Sequence, residues 1–205
     1  APFPRNFDIQ VHEFEALVRA AVQVGGDELL RLITGWPQVG GGNELQMSCD
    51  LAIASDDVII RHVGTERGSV PAAGATQWLP LIVGDRRARE ILFLCEEIPA
   101  RKALEWGLVN EVVPRKQLDG AVERMAKKLI NKLPECTRYT KQQLNFWRDF
   151  SWSMTIGHVR DWLTVHTSAP EIVEGIKAFS EKRPIDYEKL RKELSVRSKH
   201  TPKKK

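Results

Sequence analysis

The sequence predicts an α/β fold that gives way to a helical C-terminal region, and three observations carry that reading. Short apolar runs at 51–54, 58–60 and 108–113 have the length of buried strands and are separated by turn or helix signals. A glycine triplet, Gly40-Gly41-Gly42, leads directly into Leu45, Met47, Cys49 and Leu51, so a glycine turn opens a helix. From Leu118 onward the strand pattern stops, and Leu118, Val122, Met125, Leu129 and Leu133 form one apolar stripe at helical spacing. Strand and helix alternating before an all-helical stretch is the pattern of an α/β layer with helices appended.

In chain order, Phe14, Leu17, Val18, Ala21 and Val22 predict a helix that Gly25-Gly26 stops. The zone from 39 to 114 holds the strands and the glycine turn. The helix that begins at Leu118 carries Glu123, Arg124, Lys127 and Lys128 on its polar face. The stretch 136–168 is aromatic, with Phe146, Trp147, Phe150, Trp152 and Trp162 expected in the core and a bend expected near Gly157. A last helix is predicted over 171–183. The organisation is therefore a core over 1–114, a helical region over 115–187 and a basic tail over 188–205, with no internal repeat.

At 205 residues, with 42% hydrophobic and 28% charged content, the chain is long enough for one domain with a proper core. The formal charge of +4 comes from Arg197, Lys199, Lys203, Lys204 and Lys205; without these five the remainder carries −1. A basic terminus without interleaved aromatics is expected to be solvated and frayed, and nucleic acid is not the expected partner. Cys49, Cys95 and Cys136 lack metal or redox spacing and are expected as buried free thiols. The expected location is cytoplasmic, since no apolar run approaches the ~18 residues that cross a bilayer and residues 1–10 lack the layout of a secretory signal.

The chemistry centres on the glycine turn. A helix start has unpaired N–H groups and a partial positive end, and glycine lets a ligand approach the backbone closely. Such a site can hold a developing oxyanion. Glu44, in the first helical turn, is either a proton-transferring carboxylate or an acid that complements the helix dipole.

The string Gly40-Gly41-Gly42-Asn43-Glu44-Leu45 is followed by Cys49-Asp50-Leu51-Ala52-Ile53-Ala54, Gly68-Ser69-Val70-Pro71 and Gly74-Ala75-Thr76-Gln77-Trp78-Leu79-Pro80. Further matches run through Arg86-Arg87-Ala88-Arg89-Glu90, Gly107-Leu108-Val109-Asn110 and Val112-Val113-Pro114 to Glu174-Gly175, Ala178-Phe179 and Glu181-Lys182-Arg183. This order, over residues 39 to 187, resembles the crotonase (enoyl-CoA hydratase/isomerase) superfamily. The resemblance implies a spiral of ββα repeats with a helical C-terminal oligomerisation region, an acyl-CoA substrate and a homotrimer or homohexamer. It implies no metal and no cofactor beyond the CoA of the substrate. Gly41 falls where the family donates an amide to the thioester oxygen, Glu44 falls on one of two catalytic glutamates, and Gly40, Gly64 and Gly68 line the substrate site. Phe179 and Lys182 fall on the terminal helix that, in family trimers, reaches a neighbouring subunit's CoA.

Two departures qualify the match. Gly64 stands where hydratases keep the second glutamate, four residues before Gly68, and Glu66 is the nearest replacement, two residues out of register. The family's N-terminal portion, including the loop that supplies the other oxyanion amide, is not found in residues 1–24, and the strand expected before Gly40 is poorly formed in 29–36. A glycine at the second acid is shared with enzymes of cyclic substrates. Arg138-Tyr139-Thr140-Lys141, Asn145 to Asp149, Ser151-Trp152 and Gly157-His158 look similar to the ring-opening 6-oxocyclohex-1-ene-1-carbonyl-CoA hydrolases. The expected function is thus ring-opening hydrolysis of a cyclic oxo-enoyl-CoA, with His158 as an auxiliary or merely structural histidine. The alternatives are an ordinary enoyl-CoA hydratase/isomerase and a non-catalytic or RNA-binding relative.

Overall fold

The computed structural model describes residues 38–199; the helix predicted near Phe14 and the strand looked for in 29–36 lie outside the described residues. The chain enters at β1 (Gln38–Val39) and turns at Gly40 into α1 (Gly41–Ser48). Then come β2 (Ile53–Ser55), β3 (Ile59–Arg61), α2 (Ala75–Val83), α3 (Asp85–Leu94), β4 (Ile98–Pro99), α4 (Ala100–Glu105) and β5 (Glu111–Val113). After a 3-10 turn at Arg115–Gln117 the chain is helical: α5 (Leu118–Ile130), α6 (Pro134–His166), α7 (Pro170–Ser180) and α8 (Tyr187–Lys199).

The strands form two small sheets. In one, β3 pairs parallel with β1, Ile60 opposite Gln38, and antiparallel with β4, Ile60 opposite Ile98. In the other, β2 and β5 pair parallel, Ala54 opposite Val112. The parallel pairings make the interior strands apolar, as both faces need cover. Met47, Ala54, Val58, Ile60, Leu79, Ile91 and Leu108 close into one core beneath α1–α4, and Ile53, Val113, Leu118 and Ala121 seat α5 on the second sheet. Two side-chain amides tie the layers together. Asn110 Oδ1 accepts from the Ala52 amide at 2.8 Å, and Gln46 Nε2 donates to the Leu108 carbonyl at 3.1 Å.

Several expectations need correction. α6 runs as one 33-residue helix straight through Gly157. Its aromatics are not core: Phe146, Trp147 and Phe150 are exposed, and Trp152 and Trp162 are half-buried. Their spacing fits a helix, but among the described residues Trp152 stacks on Trp78 of α2 whereas Phe146, Trp147 and Phe150 contact one another and Trp162 stacks on His166, all on α6 itself. The basic tail is helical as far as Lys199, because Leu190 is buried against the preceding segment. Of the cysteines, only Cys95 is buried; Cys49 is half-buried and Cys136 exposed. Among the described residues no helix is long and apolar enough to cross a membrane.

Candidate active site

The site is built where β1 and β3 end side by side. The Gly40 amide donates to the Arg61 carbonyl at 3.2 Å, which fixes the glycine turn against the last residue of β3. Gly40 has φ +63° and ψ −115°, a conformation open to glycine and costly for any residue with a Cβ. Its carbonyl then accepts from the Asn43 and Glu44 amides at 3.0 and 3.2 Å, closing the first turn of α1. The Gly41 and Gly42 amides come before that ladder and find no acceptor among the described residues. Nothing lies within 4 Å of where a Gly41 Cβ would stand, and the residue is exposed, so the turn has room beside it. This is the geometry an oxyanion site needs: free N–H groups at a helix's positive end with room above them.

Glu44 is 5% exposed, and its carboxylate is held by a second helix start. Oε1 accepts from the Ala73 amide at 2.9 Å and the Ala75 amide at 3.1 Å, around the left-handed Gly74 that caps α2. Gly74 must be glycine, since a Cβ there would sit 2.5 Å from the Trp78 ring. The other carboxylate oxygen has no hydrogen bond among the described residues. A carboxylate with one oxygen anchored and one available is oriented for proton transfer.

Behind the two helix starts, α6 acts as a brace. Trp152 stacks on Trp78 with ring centroids 5.3 Å apart. The Arg148 guanidinium lies 4.9 Å from the centroid of the Trp78 ring and donates to the Met47 carbonyl at 2.6 Å. Such stacking and cation–π contacts contribute about 0.5–1.5 kcal/mol each.

Sequence reasoning brought Gly40, Gly41 and Glu44 to one place, and the structure does so too. Gly64, Glu66, Gly68 and Phe179 gather in a second cluster through Arg67 and the packing of Gly68 on α7, whereas Lys182 is not in contact with it among the described residues. Gly64 sits in a tight turn, its carbonyl accepting from Arg67 and Ser69, and a Cβ there would lie 3.3 Å from the Ser69 oxygen. Glu66 does not stand free: Oε2 pairs with Arg61 at 2.5 Å and Oε1 lies 3.9 Å from Arg67. Gly68, at φ +76°, packs backbone to backbone against α7. The exposed Phe179 ring lies under the Arg67 guanidinium of its own chain, 5.3 Å away, and exposed Lys182 ends α7 in the left-handed region at φ +52°. His158 is exposed on α6.

Two features escaped the sequence reading. One is the pair of amides at the start of α2, for which Gly74 was the available sign. The other is His62, 2% exposed, whose place in the alternation Val58, Ile60, His62 marks it as facing inward with the core. Burial pushes its imidazole pKa down, against the smaller upward pull of the Glu44 carboxylate.

The sequence profile of "Enoyl-CoA hydratase/isomerase" matches residues 30–191, most of the chain and all of both clusters. The chain belongs to the enoyl-CoA hydratase/isomerase family. Solved structures agree with this placement. An enoyl-CoA hydratase from Mycobacterium avium subsp. paratuberculosis K-10 superposes with a TM-score of 0.71 at 27% identity, over 86% of this chain and 71% of that one. An enoyl-CoA hydratase/isomerase from Pseudoalteromonas atlantica T6c gives 0.66 at 25% identity, over 74% and 61%. A carnitinyl-CoA hydratase from Mycobacterium avium gives 0.65 at 27% identity, over 75% and 59%. The chain thus spans roughly three-fifths to seven-tenths of these family members, and the family match over 30–191 contains the glycine turn, Glu44 and helices α5 to α7.

Proposed function

We propose that this family member adds water to a conjugated CoA thioester, and that its substrate is a cyclic oxo-enoyl-CoA whose ring it opens. The observation that carries the reading is Glu44, buried, anchored through one oxygen and one helical turn from the open Gly41 amide. With the thioester oxygen on Gly41, charge that develops there meets an N–H group and a helix's positive end. Glu44 takes a proton from water as the hydroxyl adds to the β-carbon, and the double-bond pair moves onto the thioester enolate. The same carboxyl then returns the proton to the α-carbon. For a ring ketone next to that α-carbon, a second water attacks the ketone carbon. The ring carbon–carbon bond breaks, its electron pair passes to the same enolate, the α-carbon takes up one proton of that water, and the ketone carbon, now bearing the water's oxygen, leaves as a free carboxylic acid that ionises.

Neither step gains or loses electrons, so the reading requires no redox group, and CoA enters as part of the substrate. Gly64 in place of a second acid, together with the residues of α6, supports the cyclic substrate. The solved relatives, an enoyl-CoA hydratase and an enoyl-CoA hydratase/isomerase, favour the second reading, ordinary hydration of an open-chain enoyl-CoA. A homotrimeric or homohexameric cytoplasmic enzyme completes the proposal.

Mass spectrometry of products separates the readings: ring opening adds two waters and one titratable acid, whereas simple hydration adds one water and no acid. No change in either type of thioester would overturn both. Glu44→Gln keeps the volume and the contact with Ala73 and Ala75 but cannot take the proton. It should lower kcat by about 10²–10⁴-fold with KM within a few-fold. If more than about a tenth of wild-type kcat remained, Glu44 would be a dipole-complementing acid only.

A further inference from the structure

Along α6, Lys141, Arg148, Trp152 and Thr155 share one stripe, because steps of seven, four and three residues return to the same side of a helix. The stripe meets α1 first and α2 second. Lys141 pairs with Asp50, just past the end of α1, and Arg148 donates to the Met47 carbonyl in the last turn of α1 at 2.6 Å. Further on, Trp152 stacks on Trp78, and the Thr155 hydroxyl accepts from Gln77 Nε2 at 2.9 Å, both partners on α2. Arg148 reaches both helices, since its guanidinium also lies 4.9 Å from the centroid of the Trp78 ring. It is half-buried and pairs with no carboxylate among the described residues, so the cation is committed to that carbonyl and that ring.

These contacts close a ring around the site. Met47 lies three residues after Glu44 on α1, and its carbonyl is among the last of the helix, which lack a partner within it and favour a cation. Trp78 lies one turn after Gly74, and its ring fills the space of the missing Gly74 side chain, 2.5 Å from where a Cβ would stand. On either side of Gly74, the Ala73 and Ala75 amides hold Glu44 Oε1 at 2.9 and 3.1 Å. From Glu44 along α1 to Met47, across Arg148 to Trp78, and through the Gly74 turn back to Glu44, every link is a direct contact or a stretch of helix. We propose that Arg148 is a positioning residue for Glu44, holding α1 and α2 at the separation that keeps the carboxylate on its two amides. The inference rests on the reading of Glu44 as the proton-transferring group and adds what keeps that group aimed. Arg148 gives and takes no proton in the reaction; it acts only through the place of the carboxylate. A misplacement of about 1 Å at a reacting group can cost about 10²-fold in rate, which sets the size of effect a remote brace can have.

The test uses the complete protein and a hydratable enoyl-CoA. Arg148→Met, which drops both donor and charge, should lower kcat about 10–10²-fold with KM within a few-fold, as should Arg148→Gln, which is too short to reach both helices. Arg148→Lys can still donate to Met47 but loses the flat stack on Trp78, so its kcat should fall between wild type and Arg148→Met. In a Glu44→Gln background Arg148→Met should change kcat by less than about two-fold, because the brace has nothing left to aim. Thr155→Val loosens α6 from α2 without touching α1, and its kcat should stay within about three-fold of wild type even where Tm falls. Wild-type kcat in a folded Arg148→Met or Arg148→Gln overturns the assignment, as does an equal loss in the Glu44→Gln background or in Thr155→Val. If wild type turns over no acyl-CoA, the hydration reading fails, and the brace is read from amide exchange instead. Arg148→Met or Arg148→Gln should speed exchange at the Ala73 and Ala75 amides about ten-fold more than at the amides of α3. Unchanged exchange at those two amides overturns the brace.

Discussion

At the scale of single residues, the two adjacent glycines of the turn do different work. Gly40 is needed for its backbone, since φ +63° with ψ −115° strains any residue with a Cβ. Gly41 is needed for the room above it, since its own Cβ would meet nothing. Gly40→Ala should therefore destabilise the fold by about 1–3 kcal/mol in chemical denaturation. Gly41→Ala should melt like wild type yet weaken binding of CoA thioesters in calorimetry, because its methyl occupies the approach to the amide. Equal melting points for the two variants would show that the turn relaxes and that Gly40 carries no strain. Glu44 and Gly41 were legible in the sequence because a helix start with an acid in its first turn leaves a local sign. The Ala73 and Ala75 amides left none of that kind, since their role depends on α2 arriving from about thirty residues away.

At the scale of elements, α7 is clamped onto the loop that carries Gly64 and Gly68. A Cβ on Gly175 would lie 1.9 Å from the Arg67 carbonyl, and one on Gly68 would lie 2.1 Å from the Glu171 carbonyl. Both partners are backbone and cannot step aside as a side chain would. Gly175→Ala should cost at least the 1–3 kcal/mol typical of overpacking and should raise amide exchange in 64–71 more than in α3. Beyond α7, Arg183 bridges to Glu174 at 2.5 Å and to Glu181 at 2.6 Å, and the Asp186 amide also donates to Glu174. The bridging guanidinium pulls the Glu174 carboxyl from 4.5 down to about 2. A depressed folded pKa means the clasp is fully present above about 4.5 and is lost as pH falls toward 2. Exchange protection at the start of α8 should fall over that window in wild type and be low and pH-independent in Glu174→Gln. β2, β3 and β5 were legible to within three residues because apolar runs are local, whereas the two-residue strands β1 and β4 are too short to leave such a run. The fate of the aromatic helix was not, since a spacing of aromatics says which side of a helix they share and not whether anything covers that side.

At the scale of the whole molecule, the uncovered side of α6 is the feature that a single chain does not explain. Leu144, Trp147 and Met154 are each more than 60% exposed, with Phe146 and Phe150 beside them. Contiguous exposed apolar surface of this kind is a liability for a lone chain. The complete protein should run as a trimer or hexamer in light scattering, and Trp147→Glu should shift it toward monomer. A stable micromolar monomer in the wild type would overturn the assembly. The α/β class was legible at this scale because many short motifs in one order constrain a fold more than any one of them does. The close approach of Gly68 to Gly175 also has a meaning in time. About a hundred residues separate them, so at ~5–20 residues per second the loop leaves the ribosome several seconds before the helix that pins it. Through that interval the growing chain carries its glycine turn and its strands but only a half-set loop at 64–71, and the helix that finishes it comes after all the strands are made.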